Sequence, residues 1–147
     1  MRVYLDACCL NRTFDDQTQD RIHLETEAII LILNRLEKWS DWEWIGSEVL
    51  NFEIDQIPDP ERRHQVKLLI SNINYSIAVN QKEIERARQL EEMGFQSYDA
   101  LHIACAESGN ADIFLTTDDK LINKANKLSK QLNIRVENPL TWLREVL

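Results

Sequence analysis

The chain contains few of the residues that interrupt or cross-link a backbone: its 147 residues include only three glycines, three prolines and three cysteines. So little glycine and proline, with 44% apolar residues, argues against a disordered or repetitive chain and favours a helix-rich globular one. The cysteines are odd in number and form no Cys-x-x-Cys pair, so neither a disulfide framework nor a cysteine zinc site is indicated. We therefore expect a single domain over residues 1–147, in a reducing cytoplasm.

A surplus of positive charge and long apolar runs are also missing. The net charge of −8 has the wrong sign for binding nucleic acid through bulk electrostatics, so any polynucleotide partner would need a local basic patch or a bound metal. The longest apolar run, residues 28–33, is far shorter than the roughly 20 residues that span a bilayer. The sequence therefore indicates no membrane association.

The motifs of several common enzyme classes are absent as well. The chain has no glycine-rich phosphate loop, no His-Glu-x-x-His and no Gly-x-Ser-x-Gly. No motif pairs Cys8 or Cys9 with a histidine, so both cysteines are expected to be small packing residues. These absences argue against P-loop, zinc-protease and serine-hydrolase functions.

Short apolar segments alternate with helical patterns along the chain. Strands are predicted at residues 3–5, 42–45, 75–79, 113–117 and 134–136, the third of them short and buried. Helices are predicted at residues 21–39, after 47, at 60–69, 80–93, 97–108 and 120–131, and after 139, with a polar loop at 10–20. Strands separated by helices favour a parallel sheet covered on both faces, so we predict a three-layer α/β/α fold with four to five central strands.

Four acidic residues occupy positions at which such a sheet binds ligands. Asp6 and Asp118 each end an apolar strand, whereas Glu53 and Asp99 lie in helix-forming segments. Ligands bind beyond the carboxyl ends of parallel strands, so these four carboxylates can converge on one crevice. Their repulsion would be relieved by a cation, and Mg²⁺ prefers oxygen ligands. The pattern predicts metal-dependent phosphate chemistry.

Each of these acids, taken alone, has an ordinary structural explanation. Asp6 and Asp118 could end strands because aspartate favours turns, and Asp99 gains from the dipole of its helix. Glu53 could be an exposed helical acid. Only the joint pattern points to a site. His102, three residues after Asp99 on the same helical face, is expected to be packed and hydrogen-bonded rather than a metal ligand.

The order and spacing of these segments resemble the PIN-domain family of metal-dependent ribonucleases, which includes the toxins of many bacterial toxin–antitoxin pairs. The resemblance covers nearly the whole chain and rests on the strand into Asp6 and on residues 47–53, 99–102 and 116–121. It implies that the catalytic and metal-binding residues, which would hold Mg²⁺ or Mn²⁺, are Asp6, Glu53, Asp99 and Asp118. It also implies a supporting role for the Thr116 hydroxyl.

The resemblance implies an endoribonuclease that hydrolyses RNA phosphodiester bonds, with metal activating water and neutralising charge on the phosphate. It leaves open whether the chain is the toxin of a pair, with an antitoxin protein as partner, and whether it forms a homodimer as relatives often do. The alternative is a non-catalytic PIN-like module that binds RNA or protein. A phosphate-monoester enzyme is less well supported, because Cys8 stands where an Asp-x-Asp pair would have its second acid.

Some positions depart from the family pattern. Ala7 and Cys8 stand where many relatives have Thr followed by Ser or Asn, and the amide of Asn11 could substitute for the lost polar groups. Glu48 and Asp119 leave the identity of the second and fourth acids ambiguous.

Basic residues near the predicted site are candidates for binding substrate. Lys120, Lys124 and Lys127 recur at helical spacing just after Asp118, and Arg12 follows the first acid. Lys120 and Arg12 are the preferred candidates because they are nearest in sequence to the predicted metal ligands.

Overall fold

A sheet of five parallel strands forms the middle of the protein. The computed structural model describes residues 1–147 and places the strands in the order β3-β2-β1-β4-β5. The strands are β1 (Arg2–Leu5), β2 (Glu43–Ser47), β3 (Tyr75–Ile77), β4 (Ile113–Leu115) and β5 (Arg135–Glu137). The predicted all-parallel sheet is confirmed.

Eight α-helices connect and cover these strands. They are α1 (Ala7–Arg12), α2 (Asp20–Lys38), α3 (Glu48–Asp55), α4 (Pro60–Ile70), α5 (Gln81–Glu92), α6 (Ser97–Ser108), α7 (Asp119–Lys127) and α8 (Pro139–Val146). A 3-10 turn, Ser129–Gln131, follows α7. None of these helices is both long enough and apolar enough to cross a membrane.

The sheet separates two hydrophobic cores. Val3 and Leu5 of β1 face one core, which is closed by α1, α2, α3, α4 and α8, whereas Tyr4 between them faces the other. Helices α5, α6 and α7 close this second core. The alternation follows from the two-residue period of a strand, and helices on both faces make the sheet the middle of three layers. The predicted α/β/α architecture is confirmed.

The prediction of a polar loop beginning at residue 10 is wrong for its first residues. The chain turns directly from β1 into α1, and the Asp6 carboxylate accepts a hydrogen bond from the Ala7 N–H at 2.8 Å. Six residues are too few to display a helical period, so the sequence pattern did not reveal this helix.

Two further features differ from prediction. β3 was expected to be buried, yet Tyr75 and Ser76 are exposed because this strand pairs only with β2 and forms one edge of the sheet. The helix after Asp118 ends at Lys127 instead of residue 131, since the following residues tighten into the 3-10 turn. Helix α6 begins at Ser97 and ends at Ser108, as predicted, and Gln96 is its N-cap.

The sheet order brings the segments that carry the acids to one edge. β1 and β4 are neighbours, and the N–H of Asp6 donates to the carbonyl of Leu115 at 2.9 Å. Ser47 ends β2 and begins α3, and its hydroxyl oxygen accepts from the N–H of Leu50 at 3.1 Å. This N-cap directs α3, and with it Glu53, toward the carboxyl ends of β1 and β4.

Candidate metal centre

A cleft of about 380 Å³ lies where β1 and β4 end, and all four predicted acids line it: Asp6, Glu53, Asp99 and Asp118. Cys8, Gln56 and Tyr98 complete the lining. The fold therefore brings together carboxylates from β1, α3, α6 and the start of α7. Such a set of oxygen atoms is what a hard divalent cation requires.

Asp6 is the most firmly held of these acids. Its Oδ1 accepts from the Ala7 N–H, and its Oδ2 accepts from the Thr116 hydroxyl at 2.9 Å and lies 3.5 Å from the Cys8 sulfur. The Thr116 oxygen in turn accepts from the Asp118 N–H at 3.2 Å. Thr116 is fully buried, so it ties Asp6 to the segment that carries Asp118.

The two adjacent acids at the start of α7 have different surroundings. Asp118 is the N-cap of α7, its carboxylate accepts from the N–H groups of Lys120 and Leu121, and it lines the cleft. Asp119 forms a two-pronged ion pair with Arg21, with N–O distances of 2.7 and 2.8 Å, and this pair holds the pKa of Asp119 below its usual value. Asp118 is therefore the acid of this pair that a cation in the cleft could contact.

The second ambiguous pair separates in the same way. Glu48 accepts a hydrogen bond from the N–H of Val79 at 3.1 Å, beyond the end of β3. Glu53 lies five residues further along α3, about one and a half turns, and lines the cleft. The acid that belongs with Asp6 is thus Glu53.

Asp99 is surrounded by other charged residues, and no group of the protein donates a hydrogen bond to its carboxylate. Burial, followed by the negative charges of Asp6 and Asp118, raises the pKa of Asp99 from 3.8 to about 6. Excess negative charge gathered in one place has this effect, and a bound cation reverses it. The charge balance of the cleft therefore fits a divalent metal ion.

A chain of buried polar side chains leads from the sheet to Glu53. The Ser47 and Tyr4 hydroxyl oxygens are 2.6 Å apart, Tyr4 Oη lies 2.6 Å from His102 Nδ1, and His102 Nε2 lies 2.7 Å from Glu53 Oε1. Burial lowers the pKa of His102, but the hydrogen bond to Glu53 and the charge of Asp6 outweigh it and hold the pKa above its usual value. His102 was expected to be packed and hydrogen-bonded, and its contacts are of that kind.

Sequence reasoning missed the hydrogen bonds by which Ser47 and Tyr4 support His102. The sequence places Tyr4 only within the predicted strand at residues 3–5, and Ser47 only at the start of the helix that carries Glu53. A tyrosine that faces the core needs a partner for its hydroxyl, which was the one available signal.

Asn11 and Arg12 do not line the cleft. The Asn11 amide donates to the carbonyl of Ala7 at 3.0 Å, so it is engaged within α1. Arg12 pairs with Glu25 at 3.0 Å and with Asp15 at 3.3 Å. Both residues therefore stabilise the surroundings of α1 in this structure.

Lys120 lies closer to the acids. It lines a second, adjoining cleft that shares Asp99 and Asp118 with the first. Lys124 lines this cleft too, but its ammonium group donates to the carbonyl of Gly94. Lys120 is thus the lysine of α7 best placed to meet a phosphate near the acids.

Two exposed aromatic rings at the rim of the cleft were not predicted as site residues. The rings of Phe52 and Tyr98 stack with centroids 6.2 Å apart and planes 25° from parallel, and about half of each side chain is exposed. They immediately precede Glu53 and Asp99, and this adjacency was the only signal in the sequence.

Residues 3–127 match the family model of the PIN domain. This chain belongs to the PIN-domain family. No curated protein matches it significantly in sequence.

Three solved structures resemble the chain over nearly its whole length. VapBC2 from Rickettsia felis, bound to a DNA fragment from the promoter, is 16% identical with a TM-score of 0.63, covering 94% of this chain and 98% of that one. VapBC-1 from nontypeable Haemophilus influenzae is 14% identical with a TM-score of 0.59, covering 95% and 98%. PAE2754 from Pyrobaculum aerophilum is 15% identical with a TM-score of 0.56, covering 99% and 96%. At these identities the likeness concerns the fold.

Proposed function

We propose that this PIN-domain protein is a metal-dependent endoribonuclease that hydrolyses phosphodiester bonds in RNA. The observation that carries the proposal is the convergence of Asp6, Glu53, Asp99 and Asp118 on one cleft. Membership of a family that generally consists of nucleases supports it. The raised pKa of Asp99 supports it as well, since its causes are burial in the cleft and, after that, the negative charges of Asp6 and Asp118.

The proposed cofactor is Mg²⁺ or Mn²⁺, held by the four carboxylates. When bound, such an ion polarises a phosphate and lowers the pKa of a nearby water. The chain supplies the positioning: Thr116 and the Ala7 N–H fix Asp6, and the N-terminus of α7 fixes Asp118. Asp99 has no fixing contact, so it is the acid free to adjust as charge in the cleft changes.

The proposed substrate is RNA held near the rim of the cleft. Lys120 is in position to pair with a phosphate, and the exposed rings of Phe52 and Tyr98 offer faces on which unpaired bases can stack. Because the chain carries a net charge of −8, these local contacts have to overcome a general repulsion.

We also propose that the chain is the toxin of a toxin–antitoxin pair. Two of the structurally similar proteins are VapBC complexes, which supports an antitoxin protein as partner, and a homodimer is the second proposed association. Three free cysteines are in keeping with a reducing cytoplasm, where residues 1–147 would act as one domain.

The decisive experiment measures cleavage of assorted RNAs by the purified chain with Mn²⁺, with excess chelator, and in the Asp99→Asn variant. We expect chelator to abolish cleavage and Asp99→Asn to lower its rate at least about 100-fold. Loss of a residue that only orients a metal ligand typically costs about 10- to 100-fold in activity, and loss of a ligand itself should cost more. Asp55→Asn, an exposed acid on the same helix as Glu53, is the matched control and should cleave normally. Cleavage at the wild-type rate by Asp99→Asn, or any cleavage in excess chelator, would refute the proposal.

One observation favours a second candidate function, that of a non-catalytic binding module. Cys8 contributes a thiol to the cleft at a place where many relatives carry a polar side chain. RNA binding that is retained without cleavage at any Mn²⁺ concentration would favour this module over the nuclease.

A further inference from the structure

Glu53 is the acid of the cleft whose carboxylate has a single protein partner. Its Oε1 lies 2.7 Å from His102 Nε2, and its Oε2 has no hydrogen-bond donor in the protein. The Glu53 side chain is 27% exposed, so without His102 it would be free to adopt several rotamers in solvent. The orientation of the Glu53 carboxylate therefore depends on its hydrogen bond with the imidazole of His102.

The buried groups behind His102 determine which ring nitrogen faces Glu53. Tyr4 and Ser47 are fully buried and His102 is 1% exposed, so solvent does not compete for their hydrogen bonds. The Tyr4 hydroxyl can donate to a bare Nδ1 or accept from a protonated one. An ionised carboxylate only accepts hydrogen bonds, so the 2.7 Å contact with Glu53 requires a hydrogen on Nε2, whether Nδ1 is bare or protonated.

We infer that His102 is a positioning residue that directs Glu53 toward the cation beside Asp6, and that Tyr4 and Ser47 hold His102 for this purpose. The inference rests on the metal site proposed above. His102 Nε2 lies 3.9 Å from Asp6 Oδ1, and ligand atoms of Asp6, Glu53 and His102 lie within 4.8 Å of one another. Two oxygen ligands of one Mg²⁺ or Mn²⁺ ion fit within such a span, and Glu53 Oε2 remains free to be one of them.

The test is a double-mutant cycle that measures the affinity of the full chain for Mn²⁺ alone by calorimetry. It compares the wild type, Tyr4→Phe, Glu53→Gln and the double variant. Tyr4→Phe removes the hydroxyl but keeps the ring, which stacks on Phe114 with centroids 5.2 Å apart. We expect Tyr4→Phe to weaken Mn²⁺ binding about 10- to 100-fold when Glu53 is present and to have no further effect once Glu53 is glutamine.

A second comparison covers the case in which Tyr4→Phe fails to fold. His102→Gln keeps an amide N–H that can donate to Glu53, whereas His102→Leu does not, so His102→Gln should retain the higher Mn²⁺ affinity. In the wild type, ¹⁵N NMR of the imidazole should show hydrogen on Nε2. Tyr75→Phe, which removes the hydroxyl of an exposed tyrosine at the sheet edge, is the control and should leave Mn²⁺ binding unchanged.

The outcomes separate this inference from the proposed function. An equal loss of affinity on Tyr4→Phe in both backgrounds would mean that Tyr4 only supports the fold, and a hydrogen-free Nε2 would mean that Glu53 is not its acceptor; either result overturns the inference. A wild type that binds no Mn²⁺ overturns it together with the metal site. Mn²⁺ binding with the expected cycle but no RNA cleavage would support the inference and refute the endoribonuclease.

Discussion

The side chain of Asp99 makes the stability of the metal-free protein depend on pH. Its pKa is about 6 in the folded chain against an ordinary value of 3.8, so the folded state binds this proton more tightly than the unfolded state does. The stability that Asp99 contributes is therefore complete below about pH 4, falls as the pH rises to about 6, and is lost above that. Near neutral pH the ionised Asp99 carboxylate therefore destabilises the folded state.

Asp99→Asn should accordingly stabilise the metal-free protein at pH 7. We expect the free energy of unfolding to rise by about 1 kcal/mol, a figure reduced to allow for the partial exposure of Asp99, and the gain to vanish near pH 4. Urea unfolding in the presence of chelator, at both pH values, measures the difference. Asp55→Asn should give no such pH-dependent gain. A variant less stable than wild type at pH 7 would show that Asp99 is not under repulsion.

The acids of the cleft could be predicted from sequence, whereas the contacts that orient them could not. Asp6 and Asp118 follow apolar strands, and a parallel sheet brings such positions to one edge. The hydrogen bonds of Tyr4 with Ser47 and with His102 join residues 43 and 98 positions apart. Such contacts depend on the packing of β1 against α6, and no local pattern encodes that packing.

At the level of elements, α2 is joined to its surroundings through a buried acid. Glu25 is 2% exposed and pairs with Arg12 at 3.0 Å and Arg21 at 3.3 Å, while the amide of Asn138 donates to it at 2.6 Å. These partners lie on α1, on α2 itself and at the N-cap of α8. Glu25 therefore connects three helices that cover the same face of the sheet.

Glu25→Ala should destabilise the protein by about 2 kcal/mol, because it leaves the guanidinium of Arg12 short of a partner in a poorly hydrated place. Glu27→Ala is the matched control, since Glu27 lies on the same helix with a side chain that is 60% exposed. Urea unfolding of both variants measures the free energies. Equal stability of the two would mean that the ion pairs of Glu25 contribute nothing to the fold.

Length decides which elements the sequence could predict. Helix α2 was predicted at residues 21–39 and lies at Asp20–Lys38, because five turns of helix repeat the apolar spacing often enough to be recognised. Helix α1 has six residues and was missed, and β3 was placed in the interior although it forms an edge. Edge and centre differ in the number of neighbouring strands, which is a property of the assembled sheet.

For the molecule as a whole, a net charge of −8 makes any affinity for RNA depend on a few positively charged side chains. Among the lysines of α7, Lys124 is engaged with the carbonyl of Gly94, and Lys127 is exposed but does not line either cleft beside the acids. Lys120 lines one cleft together with Asp99 and Asp118, where it would meet a phosphate close to the proposed metal.

Lys120→Ala should therefore weaken RNA binding to a similar extent for all sequences, because a phosphate contact carries no base information. The slope of log affinity against log salt should also become shallower by about 1, since one fewer counterion is released. Binding of labelled RNA to the Asp99→Asn chain, which avoids cleavage, measures both quantities across a salt series. Lys130→Ala, in the 3-10 turn beyond α7, removes the same charge outside both clefts and should leave the slope unchanged. If the two variants changed the slope equally, net charge and not the position of Lys120 would govern the interaction with RNA.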